Sequence, residues 1–191
     1  MHELLKTGFK KNEVLVCSIF IASALWITNA VFNYNAADYR ALSINLLYVV
    51  CLIPLGLASF KKENNVVQGL MGALLMISIV GNVSVLSEML TEDIPSRNLW
   101  QLKIGLVVTA AIFINHFLIA LPKYRNKRRI ILNQILIMAL LLFRCYQIII
   151  NLVSGSITPL MIEVNIGMLA IIPTLNVIAC IECRGDGYKI Q

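Results

Sequence analysis

The sequence predicts an all-α integral membrane protein, with six transmembrane helices arranged as three hairpins and both termini in the cytoplasm. Three observations carry that prediction. Of the 191 residues, 59% are hydrophobic and only 14% charged, with a mean hydropathy of +0.80, whereas soluble domains run at roughly 45–50% and about 25%. Apolar runs of about 20 residues, enough to cross roughly 30 Å of hydrocarbon, recur along the whole chain. The stretch KYRNKRR at 123–129 packs five cations between two of these runs, and short loops rich in Lys and Arg stay on the cytoplasmic side.

Every other segment falls into register around that basic stretch. Residues 1–12, MHELLKTGFKKN, place Leu4, Leu5 and Phe9 among Lys6, Lys10 and Lys11 and read as an interfacial cytoplasmic segment. A single transmembrane domain is expected over 13–183. Its first helix runs over 14–32 and its second over 42–60, joined outside by NYNAADYR with its belt tyrosines. The first run is too long for a signal-peptide core, so it is read as a retained span. Lys61 and Lys62 return the chain to the cytoplasm, and a third helix leaves over 66–90. TEDIPSRNLW is an acidic outer loop with Pro95 as its breaker and Trp100 as an interfacial anchor. The fourth helix, over 102–121, leads into the basic stretch. The fifth and sixth span 130–153 and 159–181 around the turn SGSIT, and 184–191 form a cytoplasmic tail.

Placing the cations explains the net charge of +6. Lys6, Lys10, Lys11, Lys61, Lys62, Lys123, Arg125, Lys127, Arg128, Arg129, Arg184 and Lys189 all fall on the expected cytoplasmic side. They read as a topology signal and a contact for anionic lipid headgroups, not as a nucleic-acid footprint. Lys123, Arg125, Lys127, Arg128 and Arg129 are also the expected docking face for an acidic cytoplasmic protein. The five cysteines lie in or at the ends of spans, an odd number that argues against a disulfide framework. Cys180 and Cys183 alone offer two of the four ligands that zinc needs, so neither metal nor cofactor is expected.

Ionisable groups inside a span are functional candidates by default. Arg144 lies near the middle of the fifth helix and needs a carboxylate, carbonyls or water; Glu163, early in the sixth, is its expected partner. His116 in the fourth helix is expected to be a hydrogen-bonded packing residue, with a proton relay as the alternative. Asn29, Asn82 and Gln147 mark the outer halves of the first helices of the three hairpins, a faint internal echo. The many further amides predict either a polar cavity or extensive helix contacts between subunits. Small residues at helical spacing, Ser18 with Ala22, Gly69 with Ala73 and Gly105 with Thr109, would allow close packing.

Enzyme motifs are missing: the chain has no HExxH, no GxSxG and no Walker loop. The first expectation is a non-enzymatic subunit that self-associates into a scaffold, sensor or pore with a cytoplasmic partner, as membrane components of defence or immunity systems do. It would sit in a bacterial inner membrane. The second is a small-solute carrier or the substrate-binding subunit of an importer. In size and helix number the chain is similar to the S components of energy-coupling-factor vitamin transporters, six-helix proteins that dock on a shared module through small residues of their first helix. Ser18 and Ala22 follow that spacing, and Trp26 stands where a further small residue would fall. A solute site would gather Arg144, Glu163, Gln147 and Asn82 into one cavity.

Overall fold

The computed structural model describes residues 11–61, 64–91, 99–153, 155 and 159–182, and every regular element among them is helical. Six α-helices follow in order: α1 (Lys11–Asn35), α2 (Tyr39–Lys61), α3 (Asn64–Thr91), α4 (Leu99–Ala120), α5 (Lys127–Val153) and α6 (Pro159–Glu182). A 3₁₀ turn, Pro122–Tyr124, stands between α4 and α5. Among the described residues five stretches, within α1 to α5, are long and apolar enough to cross a bilayer, and the apolar stretch described in α6, Asn165–Ile181, is shorter. This is the pattern of a multi-pass membrane protein. Residues 1–10 of the expected interfacial segment, most of the acidic outer loop and the tail at 184–191 lie outside the described residues.

The helices run further than hydropathy suggests, because a chain surrounded by lipid must satisfy its backbone groups internally. The expected eight-residue linker NYNAADYR shrinks to a turn at 36–38. Asp38 N–H donates to the Asn33 carbonyl at 2.9 Å and Ala37 N–H to that of Tyr34 at 3.1 Å. With Ala37 at φ 58°, this is a Schellman ending to α1. Asp38 then caps α2, its Oδ1 accepting from the amides of Arg40 at 3.1 Å and Ala41 at 3.0 Å.

The basic stretch is likewise not one loop. Lys127, Arg128 and Arg129 form the first turn of α5, capped by Asn126, whose Oδ1 accepts from the Arg129 amide at 2.9 Å. Arg125 turns inward. It is buried and donates from Nε to the Ile119 carbonyl at 3.0 Å and from Nη2 to that of Ala120 at 3.3 Å. Two carbonyls that the end of α4 would leave open are thereby satisfied. Nη1 reaches Gln68 Oε1 on α3 at 3.5 Å. Lys123, Lys127 and Arg128 remain exposed and Arg129 half-buried, with Lys123 and Arg129 over the Tyr124 ring at 5.6 and 5.9 Å.

The hairpins α1–α2, α3–α4 and α5–α6 all pack as neighbours, and so do α2 with α3 and α4 with α5. Contact between α1 and α6 closes these into a ring of six helices, with short connections making successive helices antiparallel. The outward surface is apolar: Phe20, Leu142 and Val107 stand 74%, 65% and 70% exposed. Such a surface belongs against hydrocarbon.

Small residues serve the inside of this ring unevenly. A side-chain carbon on Gly105 would lie 2.9 Å from the Met89 methyl, so α3 and α4 approach closely there. Gly69, by contrast, has nothing among the described residues within 4 Å of that position. Ser18 and Ala22 are buried, 7% and 0% exposed, on the same face as Trp26. The small residues of the first helix therefore face the bundle, as their spacing for close packing suggests.

Candidate functional site

Ring closure leaves a space between the helices. A cavity of about 110 Å³ is walled by residues from all six: Trp26 and Asn29 on α1, Asn45 and Tyr48 on α2, Ser78, Gly81 and Asn82 on α3, Thr109 and Ile112 on α4, Ile137 and Leu140 on α5, and Gly167 and Met168 on α6. On α1 to α3 these positions lie towards the end of the bundle that carries the 36–38 turn; on α4 to α6 they lie near the middle. The cavity therefore lies between the middle of the bundle and the end remote from the basic turn at 122–129.

Its wall is apolar but carries amide and hydroxyl groups at fixed places. Trp26 and Tyr48 stack with ring centroids 3.9 Å apart and planes 3° from parallel, joining α1 to α2. Trp26 Nε1 donates to Thr174 Oγ1 at 3.1 Å, reaching α6. Tyr48 donates its hydroxyl to Ser78 Oγ at 2.7 Å, and Ser78 donates to the Leu74 carbonyl at 3.0 Å, so the same aromatic pair is tied to α3. Four helices thus meet at one buried junction. Gly167 leaves room for it: a carbon added there would sit 3.4 Å from Asn29 Nδ2 and 4.0 Å from the Trp26 ring.

Asn82 spends both amide hydrogens on the protein. Its Nδ2 donates to the Ser78 carbonyl at 2.7 Å and to His116 Nδ1 at 2.8 Å. Because that imidazole nitrogen accepts, the proton of the neutral ring belongs on Nε2. His116 is wholly buried and does not line the cavity. Its Nε2 has no hydrogen-bond partner among the described residues. Asn115 turns the other way and donates to the Arg129 carbonyl at 2.9 Å and to Asn133 Oδ1 at 3.1 Å, joining α4 to α5.

Asn29 and Asn45 differ from Asn82. Each is 4% exposed, and neither Asn29 Oδ1 nor Asn45 Nδ2 has a hydrogen-bond partner among the described residues. Buried amide atoms in that state carry a desolvation cost of about 1–3 kcal/mol, which a polar occupant would offset once the amide turned that atom towards the cavity.

The four groups expected to converge are only partly brought together. Asn82 reaches the cavity, as does Asn29. Arg144 sits on the buried stripe of α5, one turn beyond Leu140, and donates from Nη1 to Gln147 Oε1 at 3.2 Å; neither residue lines the cavity. The side chain of Glu163 lies outside the described residues, and with it the expected pairing to Arg144. Among the described residues no ionised side chain lines the cavity, and no group of three or more His, Cys, Asp and Glu is placed to hold a metal ion. Trp26, Tyr48, Ser78 and Thr109 escape a search for charges. The available signal was an indole and a phenol in mid-span, far from the interfacial belt, since each needs a buried hydrogen-bond partner.

The fold and cavity define a class: a multi-pass helical membrane protein with a small, uncharged, partly polar chamber at its centre. No family model, no curated protein and no solved structure matches the chain, so the likeness to S components in size and helix number gains no support from them.

Proposed function

We propose that this chain is a non-enzymatic membrane subunit that holds a small solute at the centre of its helix ring, as a carrier or as the binding subunit of an importer. The observation that carries this reading is the cavity, to which all six helices contribute and whose lining residues Asn29 and Asn45 each keep a hydrogen-bonding atom without a partner among the described residues. A packed bundle with no ligand to hold would be expected to fill such a space with aliphatic side chains. The basic end, with Lys61, Lys123, Lys127 and Arg128 exposed, is assigned to the cytoplasm by its excess of cations. The solute then enters from the opposite face, and the cations meet anionic headgroups or an acidic partner protein. A bacterial inner membrane is the setting in which that charge rule and a shared cytoplasmic partner come together.

Gly81 supplies the test. It lines the cavity, and a carbon added to it meets nothing within 4 Å, so Gly81→Leu should fill the chamber without disturbing the helices. Native mass spectrometry of the protein in mild detergent should find a small-molecule adduct on the wild type, and none on this variant at an unchanged melting temperature. An adduct retained by Gly81→Leu, or none on either protein, would count against a solute site.

A separate observation favours self-association as a second reading. Gln134 on α5 donates to Asn176 Oδ1 on α6 at 2.6 Å on the outer surface, within the spans, where Asn176 is exposed. Amides facing hydrocarbon favour burial against another helix, and a second copy presents the same donor and acceptor. Replacing both by leucine should convert an oligomer into a monomer in crosslinking of native membranes; an unchanged crosslinking pattern would remove this reading.

A further inference from the structure

We propose that the cavity selects compact, uncharged solutes carrying a hydrogen-bond donor beside an acceptor, and that Asn29 and Asn45 read those two groups. This rests on the reading of the cavity as a solute site. Asn29 lies three residues beyond Trp26 on α1, and Asn45 three residues before Tyr48 on α2. In an antiparallel pair whose register is fixed by the Trp26–Tyr48 stack, the two amides therefore stand at the same level, one turn past the aromatic floor. One keeps an oxygen and the other an NH₂ without a partner among the described residues; both atoms are turned into the packed wall, and rotation of each amide about χ2 brings them to the cavity. A solute with a neighbouring donor and acceptor satisfies both at once.

Charge is selected against by the rest of the wall. No ionised group among the described lining residues can neutralise an ion, so a charged solute would lose its hydration without compensation. A purely apolar solute would enter, but it would leave both amides unmatched. Size is bounded as well. An apolar cavity of about 150 Å³ accepts benzene, so a chamber of about 110 Å³ suits an occupant with no more than one ring and one small substituent.

Three probes of equal heavy-atom number separate these terms: 2-pyridone, which carries an adjacent N–H and C=O; toluene, which carries neither; and N-methylpyridinium, which is a cation. The chain has two tryptophans, so Trp100→Phe leaves Trp26 as the sole reporter at the cavity wall. In lipid nanodiscs, 2-pyridone should give a saturable change in Trp26 fluorescence, with affinity roughly tenfold or more above the other two probes, the equivalent of one hydrogen bond. Asn29→Leu and Asn45→Leu should each weaken 2-pyridone binding by about tenfold and leave toluene unaffected or improved; Asn29→Ala and Asn45→Ala repeat the test where leucine lowers the melting temperature. Gly81→Leu should abolish every response. If toluene or N-methylpyridinium binds as tightly as 2-pyridone and remains sensitive to Gly81→Leu, the cavity is a solute site but the proposed selectivity is wrong. If no probe gives a response sensitive to Gly81→Leu, this proposal falls; the adduct measurement then decides by itself whether the site reading falls with it.

Discussion

Trp26→Ala is expected to be the most damaging single substitution in the chain, lowering stability by about 3 kcal/mol. Trp26 is 3% exposed, stacks on Tyr48 at 3.9 Å and donates to Thr174 at 3.1 Å. Large-to-small changes of a buried Trp cost about 3–5 kcal/mol in soluble cores. The lower end applies here, because unfolding within a bilayer returns apolar side chains to lipid instead of water, which removes most of the transfer contribution and leaves packing and hydrogen bonding. The ring should open between α1 and α6, where the indole is the polar link. Thermal unfolding in mild detergent should show a drop on the order of 10 °C. Trp26→Phe, which keeps the stack and loses the N–H, should cost only about 1 kcal/mol. A Trp26→Ala protein melting within a degree or two of the wild type would show that the aromatic junction is not what closes the ring.

Arg125→Met is the second large expected effect, also about 3 kcal/mol. Two charge-assisted hydrogen bonds to the carbonyls of Ile119 and Ala120 are lost together with the link to Gln68, and such bonds contribute about 1.5–3 kcal/mol each before the cost of burying the cation is subtracted. Arg125→Lys should recover less than half of the loss, since one ammonium cannot reproduce the forked geometry of a guanidinium. Charge reversal at Lys123, Lys127 or Arg128, which are exposed, should leave melting nearly unchanged. If Arg125→Met melted no lower than the Lys123 variant, Arg125 would be one more surface cation and the capping role would be discarded.

The contrast between Arg125 and its neighbours shows where sequence reading stops. Five cations in KYRNKRR look equivalent in the sequence. One of them is a helix cap, because α4 ends at Ala120 with carbonyls that have no amide of the next turn to accept from. Ser18 and Ala22 pose the same problem: their spacing allowed close packing without saying against what, and the fold put them on the inner face with Trp26.

Hydropathy and charge by themselves determined that the chain is helical, that it carries five or six apolar helices, and roughly where each begins and ends. They are local quantities, and the cost of unsatisfied backbone in hydrocarbon forces a local answer. They also pointed to Asn29 and Asn82 as groups that must find company inside a bundle, and both reach the cavity wall. Tertiary structure alone decided that α1 meets α6, that Arg144 and Gln147 stand apart from the chamber that Asn29 and Asn82 share, and that Trp26 and Tyr48 form its floor. The physical reason is that these helices are apolar around most of their circumference. With lipid as the solvent, no polar stripe marks the outside, so which face turns inward is set by shape, by hydrogen-bond partners such as Thr174 and Ser78, and by the closure of the ring.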